Sequence, residues 1–126
     1  MRWLVHSDPV TVLVVEDEAL IRLAIVDELG IAGFQVYEAD GAEAAIAIIE
    51  RHAEIRMIFT DIDMHGTMDG LKLAAFVRDR WPPIKIIVTS GRVIPAPNEL
   101  PSGVPFLAKP YDFDLVVTSI RNAMNE

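Results

Sequence analysis

No cysteine occurs in the 126 residues, so neither a disulfide framework nor thiolate chemistry is available. Basic charge is scarce: eleven Lys and Arg against nineteen Asp and Glu leave a net charge of −8. Binding to a phosphate backbone depends on clustered Lys and Arg, which argues against direct nucleic-acid contact. Long apolar runs are missing as well. The longest are strand-length, far below the roughly 20 residues that span a bilayer. Met1-Arg2-Trp3-Leu4-Val5 begins like a signal peptide, but His6-Ser7-Asp8-Pro9 interrupts it before an apolar segment of the required length forms. These absences lead to the expectation of a soluble cytoplasmic protein without a membrane partner.

What is present is the composition of a globular domain, 52% apolar and 24% charged. The length suits one domain, read as residues 10–126 behind a short extension, 1–9. Five β-rich runs alternate with helical patterns. Thr11-Val12-Leu13-Val14-Val15, Arg56-Met57-Ile58-Phe59-Thr60 and Ile84-Lys85-Ile86-Ile87-Val88 read as central parallel strands covered on both faces. Phe34-Gln35-Val36-Tyr37 and Val104-Pro105-Phe106-Leu107 are shorter and suit sheet edges, where a proline is tolerated.

Apolar residues at helical spacing predict helices over 19–29, 41–52, 70–81 and 112–124. The first carries Ile21, Ala24, Ile25 and Leu29 on one stripe and stops at Gly30. Between Gly91 and Gly103, Pro95, Pro97 and Pro101 forbid a long helix, leaving at most a turn near Asn98-Glu99-Leu100. The fold class expected is therefore α/β, an open doubly wound parallel sheet with helices on both faces and a fourth helix short or absent.

The polar residues that stand out each follow a strand: Glu16 and Asp17 the first, Asp61 the third, Thr89 the fourth and Lys109 the fifth. Ligands in such sheets bind at these strand ends, where strand order reverses. With order 2-1-3-4-5, Asp17 and Asp61 face each other. Three carboxylates in one cleft raise the pKa of at least one of them unless a cation compensates. Oxygen-only ligands suit Mg²⁺, with Mn²⁺ as the alternative. A carboxylate is also a competent nucleophile toward phosphorus, and phosphoryl transfer demands chiefly positioning and charge neutralisation. Lys109 and the Thr89 hydroxyl would each reach a transferred oxygen.

The series Glu16-Asp17, Asp61, Thr89 and Lys109-Pro110 resembles the receiver domain of two-component response regulators, from about residue 10 onward. The resemblance implies a flavodoxin-like fold of the kind found in stand-alone, chemotaxis-regulator-like receivers. It implies that Asp61 is the phosphoacceptor and a metal ligand, that Asp17 binds the metal directly, and that Glu16 binds through water. It further implies that the backbone carbonyl of Asp63 completes the protein ligands. Lys109 would pair with the acceptor, Phe106 would be the rotating aromatic switch, and the bond before Pro110 would be cis. The donor partner would be a histidine kinase or a histidine phosphotransfer protein, with a separate downstream protein target.

Three departures accompany the resemblance. The loop after the acceptor, Asp61-Ile62-Asp63-Met64-His65-Gly66-Thr67-Met68-Asp69-Gly70, is one residue longer than usual and has His65 in place of a proline. The proline-rich interval replaces the regular fourth helix, which remodels the face the family uses for output. The chain stops after the last helix, as in a stand-alone receiver or one cut from a longer protein. Other readings stay open. Thr89 could cap Ser90-Gly91, Lys109 could lie along the surface, Phe106 could be plain core, and His65 reads as a loop residue ahead of a phosphodonor or ligand. Trp3 and Leu4 suit packing on the body, with a homodimer contact as the alternative. Asp61-Ile62-Asp63 is also similar to the Asp-x-Asp of haloacid-dehalogenase-type phosphatases, and a phosphorylation-independent pseudo-receiver is the third possibility.

Overall fold

The computed structural model describes residues 9–125. The expected extension, with Trp3 and Leu4, lies outside the described residues apart from Pro9. The described residues form five strands, β1 (Thr11–Val15), β2 (Gln35–Ala39), β3 (Ile55–Asp61), β4 (Lys85–Ser90) and β5 (Phe106–Ala108). Four helices join them, α1 (Ala19–Ile31), α2 (Ala42–Arg51), α3 (Gly70–Arg80) and α4 (Phe113–Met124). All strand pairs are parallel and the order is β2-β1-β3-β4-β5, so the fold is the flavodoxin-like doubly wound sheet.

Alternation along each strand makes two cores from one sheet. Val12, Val14, Met57, Phe59 and Ile87 point to one face, where Ile25 and Leu29 of α1 and Val116 and Ile120 of α4 cover them. Leu13, Val15, Ile58, Ile86 and Val88 point to the other, under Ala45 and Ile49 of α2 and Leu73 and Val77 of α3. The three central strands are buried on both faces, which explains their unbroken apolar runs. β2 and β5 are the edges.

The first helix runs past the glycine expected to stop it. Gly30 lies inside α1, and the chain turns instead at Gly33, which has φ 101°. There the Gly33 N–H donates to the Gly30 carbonyl and the Phe34 N–H to that of Leu29, the paired bonds of a Schellman cap. Phe34 and Leu29 then join the same core. Ala24, expected on the buried stripe, is exposed, as is Leu20. The fifth strand starts two residues later than its apolar pattern suggested, which leaves Lys109 directly after its end.

Between β4 and β5 the prolines leave one 3₁₀ turn, Pro97–Glu99, closed by the Glu99 carboxylate accepting the Ala96 N–H at 2.8 Å. No fourth-position α-helix forms there among the described residues. Asp69 and Asp112 cap α3 and α4 by accepting N–H bonds from Lys72 and Leu115.

Candidate functional site at the carboxyl edge of the sheet

β1 and β3 are adjacent, and the pairing of Val15 with Thr60 sets the residues that follow β1 beside Asp61. Carboxylate oxygens of Glu16, Asp17 and Asp61 come within 4.8 Å of one another. Glu16 and Asp61 are almost fully buried, while Asp17 stands at the mouth. The Glu16 backbone is pinned at both ends, its N–H donating to Ala39 O and its carbonyl accepting from the Arg22 guanidinium.

The Lys109 ammonium enters from β5, 2.9 Å from Glu16 Oε1 and 3.1 Å from Asp61 Oδ2. The Lys109–Pro110 bond is cis, and the Lys109 N–H is held by Ser90 O. Burial alone would lower the lysine's pKa. Its hydrogen bonds to Glu16 and Asp61 outweigh that and raise it above the ordinary value. Lys109 is therefore a fixed positive charge.

Burial pushes the Asp61 carboxyl up to about 6, with Glu16 adding repulsion and Lys109 and the Asp63 amide pulling the other way. Within the cluster itself, three carboxylates against the one ammonium hydrogen-bonded to them leave two negative charges in excess, and a cleft of about 490 Å³ opens beside it, lined also by Asp63 and Arg92. All the donors are oxygen. A divalent hard cation fits that charge and that chemistry.

The remaining expected residues surround this centre. The Asp63 N–H donates to Asp61 Oδ1 at 3.1 Å, and the Asp63 carboxylate accepts from the Ser90 hydroxyl at 2.7 Å. Thr89 is in register with Asp61, but its hydroxyl donates to Leu107 O at 2.6 Å, so it faces the β5 backbone and not the cleft. Phe106 is half-buried at the start of β5 against the α2–α3 side of the core.

Sequence reasoning missed several neighbours. Ser90 ties Asp63 to the β4 end and also accepts the Arg92 and Val93 N–H groups; a hydroxyl at a buried strand terminus was its signal. Arg92 lines the cleft. The Tyr111 hydroxyl is buried without a hydrogen-bond partner, and burial pushes its pKa up to about 12. His65 is not a free loop residue: its backbone N–H and its ring Nδ1 both reach Asp17 Oδ2, at 3.1 and 2.6 Å. Although burial works in the opposite direction, these contacts hold the Asp17 carboxyl below its ordinary pKa. The signal was the departure from the family's loop pattern at that position.

A family model for the response regulator receiver domain matches residues 12–121. The chain belongs to that family. This receiver is 34% identical to the response regulator protein FleR of Pseudomonas aeruginosa over 80% of its own length and 22% of that protein's. It is 33% identical to the sensor kinase CckA of Brucella abortus over 95% of its own length and 13% of that protein's. It therefore spans less than a quarter of these curated relatives. Among solved structures, a response regulator receiver protein from Sinorhizobium medicae superposes with a TM-score of 0.84 at 27% identity, covering 94% of this chain and 96% of that one. One from Pseudomonas putida gives 0.82 at 30% identity, covering 94% and 99%.

The receiver is thus a phosphoacceptor signalling domain of two-component systems, not an enzyme of the conventional kind. The phosphatase reading of Asp61-Ile62-Asp63 falls with that membership. Among the described residues, no helix is long and apolar enough to cross a membrane.

Proposed function

We propose that Asp61 is the acceptor of a phosphoryl group carried by a phosphohistidine on a histidine kinase or a phosphotransfer protein. The observation that carries this is the cluster of Glu16, Asp17 and Asp61, two of them buried and bridged by Lys109. In the transfer, an Asp61 oxygen forms a bond to phosphorus as the N–P bond breaks, and the imidazole departs with the electron pair. Lys109, permanently charged, faces the oxygens that gain negative charge. Buried surroundings exclude water and strengthen that attraction.

Asp17, Asp61, the Asp63 carbonyl and, through water, Glu16 would hold Mg²⁺ or Mn²⁺. That ion supplies charge neutralisation for the acid cluster and for the phosphoryl oxygens. The Thr89 hydroxyl would exchange Leu107 O for a phosphoryl oxygen, a turn about one side-chain bond. Its departure from β5, next to Phe106, would reach the 91–103 face where a downstream partner docks. Beside the cleft lies an apolar groove formed by Leu20, Ile21, Ala24, Pro110, Tyr111 and Phe113, with Lys109 at the junction. It is suited to an apolar helix face bearing the donor histidine. Slow loss of the phosphoryl group to water, action in the cytoplasm and a homodimeric state belong to the same reading. The intact set of acid cluster and lysine supports it over a pseudo-receiver.

Incubation with acetyl phosphate and Mg²⁺, followed by intact mass, tests the assignment. The wild type is expected to gain one phosphoryl group and Asp61→Asn none. No gain on the wild type, or equal gain on the variant, defeats it.

A further inference from the structure

The residue that departs most from the family's acceptor loop, His65, touches the acid cluster. His65 places two atoms on a single oxygen of Asp17, the backbone N–H at 3.1 Å and ring Nδ1 at 2.6 Å. Its side chain is otherwise 100% exposed, so no packing holds the imidazole at that position. The ring stands at the wall of the cleft with Asp17, Asp61, Asp63 and Lys109. Asp17 belongs to the trio whose oxygens lie within 4.8 Å of one another.

We propose that His65 is a nitrogen ligand of the cation site and shifts its preference from Mg²⁺ toward Mn²⁺. The inference rests on the metal-binding reading given above. Adjacent ligand atoms on an octahedral ion with bonds of about 2.1 Å lie about 3 Å apart. The Nδ1 to Oδ2 separation is 2.6 Å. An exposed ring closes the small difference by rotating outward, with no movement of the backbone. Without the ion, the 2.6 Å contact is a hydrogen bond from the ring Nδ1–H to the Asp17 carboxylate; ligation uses the other neutral tautomer, with the proton moved to Nε2 and the Nδ1 lone pair turned to the ion. Mg²⁺ takes oxygen ligands and keeps its waters, whereas Mn²⁺ stands on the transition-metal series for which imidazole is a suitable ligand. An oxygen-only site with one added imidazole is therefore no longer a pure Mg²⁺ site.

Direct titration of the full chain with Mn²⁺ and with Mg²⁺ by calorimetry, together with electron spin-echo spectroscopy of the Mn²⁺ form, tests the proposal. Three proteins are compared: wild type, His65→Gln and Asp17→Asn. His65→Gln is expected to weaken Mn²⁺ binding on the order of tenfold, the scale of losing one ligand-shell partner, with Mg²⁺ binding changed less than about twofold. A ¹⁴N coupling to Mn²⁺ is expected in the wild type and not in His65→Gln. Equal loss for both ions, no loss for either, or no ¹⁴N coupling in the wild type overturns the role of His65. Asp17→Asn is expected to lose both ions. Undiminished binding of both by Asp17→Asn overturns the cation site itself, a failure distinct from that of His65.

Discussion

At the scale of single residues, the site stores an electrostatic conflict that one cation would resolve. Asp61 is buried beside Glu16, and its pKa is pushed up to about 6 from the ordinary value 3.8. A carboxyl with a raised folded-state pKa contributes stability that is present below about pH 3.8 and is lost as pH rises through about 6. Without divalent metal, Asp61→Asn should therefore be more stable than the wild type near pH 7. The gap between their melting temperatures should shrink toward zero as pH falls to about 4. Thermal melts in chelator across that range check this; a gap that is constant or widens on acidification contradicts it.

Thr89 and His65 show what residue type leaves open. Thr89 stands next to Asp61 in the sheet register, yet its hydroxyl prefers a 2.6 Å bond to Leu107 O. A threonine's χ1 has few wells, and which one is occupied depends on the acceptor within reach, here a strand 18 residues later.

At the scale of elements, the start of α3 is fixed by one close approach. A Cβ on Gly70 would overlap the Asp61 carbonyl and the Ile62 backbone. The Gly70 N–H also donates to Ile62 O at 3.1 Å, so helix and acceptor loop are joined at this point. Gly70→Ala must push backbone against backbone, where no side chain can yield. Loss of stability by about 1–3 kcal/mol is expected, typical of an overfilled interior. Urea titration should show a lower midpoint at unchanged m-value. A stability equal to the wild type would mean that the loop moves without cost.

Element boundaries were legible where local rules act alone. β1 spans the run read for it, and the double burial of the central strands follows from their uninterrupted apolar character. α1 was read two residues short because Gly30 looked like its stop, although a second glycine, Gly33, follows three residues later. The one that ends the helix is the one whose next residue, Phe34, can reach the core. β5 was misplaced because its pairing with β4, not its own three residues, determines where it begins.

At the scale of the whole molecule, strand order assembles the site. Order β2-β1-β3-β4-β5 puts the carboxyl ends of β1, β3, β4 and β5 along one rim. Asp61 and Glu16, 48 and 93 residues before Lys109 in the chain, thereby share its ammonium. A ligand that binds only this assembled rim stabilises the entire fold by mass action. Mg²⁺ at ten times its dissociation constant is expected to add about 1.4 kcal/mol to unfolding, and Asp17→Asn to abolish that increment. Denaturation with and without Mg²⁺ measures it; an unchanged increment in the variant would place the ion elsewhere.

By itself the sequence determined the alternation of strands and helices, the exclusion of a regular helix between Gly91 and Gly103, and which residue types end each strand. These depend on neighbours within a turn or a strand's length, and periodicity and proline chemistry report them directly. Only the tertiary structure decided that the Thr89 hydroxyl turns to β5, that Ser90 holds Asp63, and that His65 lies against Asp17. Such contacts join parts of the chain that meet only after the sheet has formed. They depend on distances of a few tenths of an ångström between groups whose separation in sequence carries no information about their separation in space.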